Sequence, residues 1–414
     1  MTPHPGAPPR PDPDLILTAL SEISAARQRV APVLRPTPVD HSDSLSRVAG
    51  RPVLLKAEYL QRTGSFKIRG AYNRICQLPP GVEVVAASAG NHAQGVALAA
   101  ALTGRHSTIF MPATAALPKT EATRAYGATV RLEGEVVDDC ILAAQAFAAE
   151  RGAVFVPPFD DPDIIAGQAT LGLEVAEEAP DAEVVVVPVG GGGLLAGTAA
   201  ALHHVAAHVR VVGVEAAGAA SLSAALAAGR PVLLDSVATM ADGIAVRMVS
   251  ELTLAHAQAY VDEVVTVDEE EISRAMLLLV ERAKGVVEPS GAAALAAILA
   301  GRVPGHGPAL AVLSGGNVDP LLLTKLINHG LTAAGRYLVL RIVVGDRPGA
   351  LAGLTAQLAA MRLNVLDVEH HRSGRALALT EVEVAVTVET RDHEHHREIL
   401  RELADAGYQA EPLS

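Results

Sequence analysis

Short Val-rich segments alternate with longer Ala-rich segments along the chain from about Asp14 to Asn328. Examples are "VEVVAASAG" followed by "NHAQGVALAAALTG", and "EVVVVPVGGGG" followed by "LLAGTAAALHHVAAHV". Near-continuous Val runs that alternate with helical patterns are typical of parallel strands in a sheet covered by helices on both faces. The segment, about 310 residues long, exceeds one ordinary domain, so we expect an α/β protein with two lobes in this region.

The last part of the chain, after about Gly335, has a different pattern. Segments typical of strands and helices follow one another in the order βαββαβ over residues 337–414, which predicts a ferredoxin-like module. We therefore predict a flexible tail at residues 1–14, a two-lobed domain at 15–328, a linker at 329–336 and the ferredoxin-like module at 337–414.

The composition indicates the class of partner. A net charge of −13 argues against a nucleic-acid or anionic-membrane surface and favours a small-molecule substrate. Val184 to Leu202 carries no charged side chain, but Pro188 and four consecutive glycines argue against a membrane span. Cys76 and Cys140 lack metal-ligand spacing and fit a reducing cytoplasm. We expect no metal site, no nucleic acid, no membrane and a cytoplasmic location.

Lys67 is the first candidate for chemistry, in "TGSFKIRGA". With Ser65 as the N-cap, Lys67 falls in the first turn of a helix, where the dipole disfavours an ammonium and favours the neutral amine. A neutral amine can attack an aldehyde or accept a proton. The alternative, which position alone favours, is a lysine whose stem covers apolar surface while its charge reaches water.

Four glycines, Gly190 to Gly193, follow a Val-rich strand and open a helix. Without Cβ atoms, their backbone amides can converge on one anion at the positive end of the helix, and a phosphate is the natural ligand. A Walker A loop is excluded because no Lys–Ser/Thr pair follows, and the spacing of a dinucleotide-binding turn is absent. A purely structural turn rarely requires four glycines, so we predict phosphate binding.

Two more turns follow predicted strands and carry polar side chains. In "ASAGNHAQG", Ser88, Asn91 and the backbone amides could hold a carboxylate or an aromatic hydroxyl, or Asn91 could simply cap a helix. In "AVLSGGNVD", Ser314 could bond a ring nitrogen or cap the next helix. Together, a lysine amine, a phosphate-binding turn and two polar strand ends predict a site for pyridoxal phosphate.

The motifs "GSFKIRGA", "SAGNHAQG", "GGGGL" and "SGGN" also occur in the order found in the threonine/serine dehydratases. Over Leu15 to Asn328 the chain resembles this family of pyridoxal-phosphate enzymes of fold type II, and "ADGIAV" and "VEPSGA" are similar to it too. The tail, with "DRPGAL", resembles an ACT domain. The resemblance implies α,β-elimination of L-threonine to 2-oxobutanoate and ammonia, and of L-serine to pyruvate.

The resemblance assigns roles to residues in the catalytic region. Lys67 would form the covalent link to the cofactor, Asn91 would bond its 3′-oxygen, and Ser314 would face its pyridine nitrogen. Gly243 would line the pocket. The phosphate would be bound by Gly190, Gly191, Gly192, Gly193 and Leu194. The substrate carboxylate would lie at the turn formed by Ser88, Ala89, Gly90, Asn91 and His92.

The resemblance also implies regulation and assembly. The ACT residues expected to bind an effector, a branched-chain amino acid, are Asp346, Pro348, Gly349, Ala350 and Leu351. We expect a homodimer or a homotetramer. A role in isoleucine biosynthesis and a role in threonine catabolism both stay open. The alternatives are an L-serine or 3-hydroxyaspartate dehydratase of the same fold, and a non-catalytic regulator that binds amino acids.

Overall fold

The computed structural model describes residues 17–413 except 334, 372–377 and 379. The flexible tail predicted at residues 1–14 lies outside the described residues. The boundary between two compact units falls between Pro320 and Leu321. A helix, Pro320–Ala333, begins at this boundary, so residues 329–333 of the predicted linker are helical.

The first unit contains two β-sheets. Its strands, in chain order, are β1 (Val39–His41), β2 (Val53–Lys56), β3 (Val84–Ala87), β4 (Ser107–Met111), β5 (Thr129–Leu132), β6 (Val154–Phe155), β7 (Val184–Pro188), β8 (Arg210–Ala216), β9 (Glu263–Val267) and β10 (Ala309–Val312). The larger sheet has the order β1-β2-β10-β7-β8-β9 and is parallel except for β1. The smaller sheet, β5-β4-β3-β6, is wholly parallel. Two parallel sheets confirm the α/β class expected from the alternating pattern.

Helices connect these strands, and the last helix of the series follows β10 and continues into the second unit. In chain order they are α1 (Leu20–Val30), α2 (Asp43–Ala49), α3 (Ile68–Ile75), α4 (Asn91–Leu102), α5 (Leu117–Ala125), α6 (Val137–Arg151), α7 (Pro162–Glu178), α8 (Gly193–Val205), α9 (Ser221–Ala228), α10 (Glu251–Tyr260), α11 (Glu269–Leu278), α12 (Pro289–Leu299) and α13 (Pro320–Ala333). Every residue of β3 and β7 is buried, as expected for parallel strands covered on both faces. Among the described residues, none of the helices combines the length and the apolar character that a membrane crossing requires.

The second unit contains α13 from Leu321 onward and forms an antiparallel sheet with two further helices. Its further elements are β11 (Tyr337–Gly345), α14 (Ala350–Ala360), β12 (Val365–His371), β13 (Glu381–Glu389), α15 (His393–Asp405) and β14 (Gln409–Pro412). The sheet order is β12-β13-β11-β14. Buried and less buried residues alternate along β11 and β13, because one face of the sheet packs in the core. This topology confirms the predicted ferredoxin-like βαββαβ module.

Candidate active site

Lys67 lies directly before α3, at a point fixed by a buried ion network. Arg69, two residues further on, is fully buried and pairs with Glu58 at 2.7 Å and with Glu174 at 2.6 Å. The predicted cap by Ser65 is wrong. The backbone of Ser65 is extended and forms a bridge with Gly315, and its buried Oγ has no hydrogen-bond partner among the described residues.

The amine of Lys67 is in a poorly solvated environment. Its Nζ donates a hydrogen bond to the carbonyl oxygen of Pro158 at 2.9 Å. Burial lowers the pKa of Lys67 from 10.5 to about 8, although the nearby carboxylate of Glu288 opposes this shift. A larger fraction of the Lys67 amine is therefore neutral at physiological pH than in an ordinary lysine. The main cause of the lowered pKa is desolvation, whereas sequence analysis attributed it to the helix dipole.

The four glycines form the turn between β7 and α8, and the space around them excludes side chains. A Cβ on Gly191 would lie 2.0 Å from the Phe159 ring, and one on Gly193 would lie 2.9 Å from Phe159 Cβ. Gly192 has a φ of 87°, which favours glycine. The turn therefore presents bare backbone at the N-terminus of α8, an arrangement suited to an anion such as a phosphate.

A cavity of about 1010 Å³ brings the predicted residues together. Its wall includes all of those predicted for cofactor or substrate binding: Lys67, Ser88, Ala89, Gly90, Asn91, His92, Gly190, Gly191, Gly192, Gly193, Leu194, Gly243 and Ser314. A cavity of this size is at the upper end of the range for small-molecule sites. The predicted effector residues belong to the second unit, at the start of α14.

Asn91 does not act as a helix cap, the alternative that the sequence left open. Gly90 occupies the N-cap position of α4 without a side-chain bond, and Asn91 is the first helical residue. Its Nδ2 donates to Glu288 Oε1, and its Oδ1 accepts a bond of 2.7 Å from Asn317. The amide is thus held by two side chains that come from distant parts of the chain.

His92 is neutral at physiological pH. Burial, together with the charge of Lys67, lowers the pKa of His92 to about 3. Its Nε2 is 2.9 Å from the carbonyl oxygen of Val156, and because a carbonyl can only accept, this nitrogen carries the proton. His92 is therefore a poor proton acceptor in this cavity.

Glu288 is a site residue that sequence analysis missed. It is buried at the start of α12, and desolvation, reinforced by the charge of Asp242, raises the pKa of Glu288 to about 7. The segment "VEPSGA" contains it, but an acid before a proline at a helix start is also typical of an ordinary helix N-terminus. A carboxyl that titrates near neutrality beside an amine is characteristic of functional sites.

Lys119 and Asp242 were also missed. Lys119 lies on α5, which packs against β5 of the smaller sheet, whereas Asp242 lies in a short turn, Asp242–Ile244, which packs against α12, a helix that covers the larger sheet. Both residues line the cavity and form an ion pair with one another. The pair therefore links the two lobes at the cavity wall.

These features fit a phosphorylated aldehyde. A lysine amine with a lowered pKa faces the same cavity as a glycine turn that has no room for side chains. Ser290 adds a buried hydroxyl on the cavity wall with no partner among the described residues. The amine can react with an aldehyde carbon, and the bare amides can bind the phosphate.

Comparisons with known proteins agree with this geometry. Residues 30–315 match the family described as pyridoxal-phosphate dependent enzyme, and residues 338–407 match the ACT domain. An L-threonine ammonia-lyase of Thermotoga maritima is 45% identical over 397 residues, which are 95% of this chain and 99% of that protein. One from Geobacter sulfurreducens is 45% identical over 94% of this chain and 98% of its own length. The solved structure of threonine deaminase isoform 2 from Solanum lycopersicum is 35% identical, with a TM-score of 0.71, over 79% of this chain and 97% of that one.

Proposed function

This chain belongs to the pyridoxal-phosphate-dependent enzyme family, and we propose that it catalyses the α,β-elimination of L-threonine to 2-oxobutanoate and ammonia. L-Serine, which lacks only the β-methyl group, would give pyruvate. The observation that carries the substrate assignment is the 45% identity to an L-threonine ammonia-lyase over 95% of the chain. That similarity extends over the catalytic unit and the ACT module alike.

Lys67 would hold the cofactor through its amine. The amides from Gly190 to Leu194 would bind the phosphate, and Gly243 would line the wall beside Ser290, since a Cβ there would lie 2.8 Å from Ser290 Oγ. Asn91 would bond the ring oxygen, and Ser314 would face the ring nitrogen. Support comes from their common position on one cavity wall.

When bound, pyridoxal phosphate supplies a ring that accepts the electron pair left at the substrate's Cα. Lys67 Nζ, once the substrate's amine has displaced it from the cofactor, would be the base that takes the α-proton. With a pKa of about 8, about a quarter of the amine is neutral at pH 7.5, against about one part in a thousand for an ordinary lysine. His92 does not compete for this proton, because its pKa is about 3 and its Nε2–H donates a hydrogen bond to the carbonyl oxygen of Val156.

The turn from Ser88 to His92 would hold the substrate's carboxylate. It joins β3 to the first turn of α4, a helix of 12 residues, and its five residues line the cavity. Ser88 already organises this turn, because its Oγ accepts a bond of 3.1 Å from the amide of Gly90. A carboxylate at a helix N-terminus gains both hydrogen bonds and a favourable dipole.

The ACT module would bind a branched-chain amino acid as an effector. The proposed residues, Asp346 and 348–351, form the connection from β11 to α14, where Gly349 has a φ of 87° and precedes the helix. Amides at the start of α14 can bind a carboxylate. We propose that this binding regulates the catalytic unit, that the enzyme is a homodimer or homotetramer, and that it works in the cytoplasm, where Cys76 and Cys140 would stay free thiols.

Turnover and absorbance together test the proposed activity. We expect the purified protein to show the absorbance band of an amine-linked cofactor and to form 2-oxobutanoate from L-threonine and pyruvate from L-serine. Lys67→Ala should remove the band and the turnover while the far-UV circular dichroism stays unchanged. Lys325→Ala, which removes an exposed lysine on α13, is the matched control. A band with no turnover of either amino acid would refute the substrate assignment, and no band at all would favour the non-catalytic regulator.

A further inference from the structure

The side chain of Asn91 is oriented by a chain of hydrogen bonds whose direction can be worked out. Asn317 Nδ2 donates to the carbonyl oxygen of Thr63 and to Asn91 Oδ1, both at 2.7 Å. Because the carbonyl of Thr63 can only accept, the Asn317 atom beside it must be the nitrogen. The same nitrogen then donates its second proton to Asn91, so the Asn91 atom that it meets must be the oxygen.

This direction leaves the nitrogen of Asn91 on the side of Glu288. One of its two N–H groups donates to Glu288 Oε1. A primary amide has two N–H groups, and among the described residues no second acceptor is bonded to the nitrogen of Asn91. Since Asn91 and Glu288 both line the cavity, the second N–H is available to a ligand there.

The two side chains that orient Asn91 are themselves confined by glycines. A Cβ on Gly64 would lie 2.5 Å from Asn317 Oδ1, and a Cβ on Gly315 would lie 2.3 Å from Glu288 Oε1. The backbone N–H of Glu288 also donates to the backbone carbonyl oxygen of Gly315 at 3.0 Å. Glycine at these two positions therefore makes room for Asn317 and Glu288 beside Asn91.

We propose that Glu288 and Asn317 are positioning residues that hold the Asn91 amide with one N–H directed at the cofactor's ring oxygen. This inference rests on the proposed role of Asn91. The inference gives a positioning role to Asn317, the asparagine of "SGGN", and to Glu288, the glutamate of "VEPSGA". Neither residue needs to touch the reacting atoms for this purpose.

The bond between Glu288 and Asn91 should strengthen as the pH rises through neutrality. The charged groups that face Glu288 are Asp242, Lys119 and Lys67, and its pKa is about 7. Below this value the carboxyl is neutral, and above it the carboxylate makes a charge-assisted bond to the amide. Glutamine at position 288 keeps an oxygen that can accept the bond from Asn91 but cannot ionise. A Glu288→Gln variant therefore distinguishes the effect of the hydrogen bond from the effect of the negative charge.

The experiment measures the affinity for pyridoxal phosphate and the visible spectrum of the holoenzyme from pH 6 to 9. Glu288→Leu removes the oxygen that accepts the bond from Asn91. Asn317→Asp replaces the donating nitrogen with an oxygen, which cannot donate to the carbonyl oxygen of Thr63 or to Asn91 Oδ1. We expect each to weaken cofactor binding about tenfold, the effect of one lost hydrogen bond, and to shift the visible band. Glu288→Gln should restore the affinity yet lose the spectral change near pH 7. Asp138→Asn, which removes an exposed carboxylate from the same cavity, should behave as wild type.

Two results would overturn the inference in distinguishable ways. If Asn91→Ala changes the affinity and spectrum but Glu288→Leu and Asn317→Asp do not, Asn91 acts without these positioning residues. If Asn91→Ala itself leaves both unchanged, the proposed role of Asn91 fails, and the inference fails with it. Threonine turnover by the wild-type protein, measured in parallel, tests the proposed activity separately from either outcome.

Discussion

Replacing Lys67 with methionine should stabilise the cofactor-free protein at neutral pH. Methionine keeps a long unbranched stem but carries no charge. Burial lowers the pKa of Lys67 from 10.5 to about 8, and each pKa unit corresponds to about 1.4 kcal/mol. The protonated amine therefore costs the folded protein up to about 3 kcal/mol below pH 8. Loss of the bond to Pro158 offsets about 1 kcal/mol, which leaves a net gain of about 2 kcal/mol.

The stabilisation by methionine should disappear in alkali. The unfolded chain keeps the proton on Lys67 up to about pH 10.5, whereas the folded protein loses it near pH 8. Between these values the unfolded state binds more protons, so the stability of the wild type rises with pH. The difference between the wild type and Lys67→Met therefore closes over this range.

Urea unfolding of the cofactor-free proteins at pH 7 and at pH 10, followed by circular dichroism, measures both effects. Lys325→Met, on the exposed side of α13, is the control and should change the unfolding free energy by less than about 0.5 kcal/mol. A Lys67→Met protein that is less stable than the wild type at pH 7 would refute the reasoning. A gain of equal size at both pH values would refute it too.

Three further outcomes follow from the structure. Gly191→Ala should weaken cofactor binding at least about tenfold, because the added Cβ would overlap the Phe159 ring. The control Gly353→Ala in α14 should leave cofactor binding unchanged. Equal cofactor affinities of Gly191→Ala and the wild type in a fluorescence titration would contradict the prediction. Asp242→Asn removes a charge that raises the pKa of Glu288, so the spectral change near pH 7 should move to lower pH; an unmoved midpoint would disprove this coupling. Calorimetry should detect heat when isoleucine or valine binds the full chain, and the absence of heat with both would count against a branched-chain effector.

The parts of the fold that follow local rules could be predicted from sequence. The Val run of β7 and the alternating pattern of β13 identified a buried parallel strand and a half-buried antiparallel one, because each reflects only the exposure of its two faces. Gly190 to Gly193 marked the turn between β7 and α8, because a run of glycines interrupts the strand pattern locally. Residues 329–333, expected to belong to a linker, instead continue α13, since Gly330 is the only helix-breaking residue among them.

The parts of the site that depend on distant contacts could not be predicted. Asn91 meets Glu288 across 197 positions and Asn317 across 226, separations at which no sequence spacing is informative. The ion pair of Lys119 and Asp242 likewise depends on how the two lobes meet. Ser65 was expected to cap α3, but pairing of its backbone with Gly315 determined its conformation instead.

The most direct test of the account is chemical trapping of the cofactor on its lysine. Two lysines, Lys67 and Lys119, line the cavity wall within the described residues. Burial lowers the pKa of the Lys67 amine to about 8, whereas the amine of Lys119 is paired with Asp242. Borohydride reduction of the holoenzyme, followed by peptide mass spectrometry, should find the added cofactor mass on the peptide that contains Lys67. Cofactor mass on the Lys119 peptide, or on none, would contradict the account.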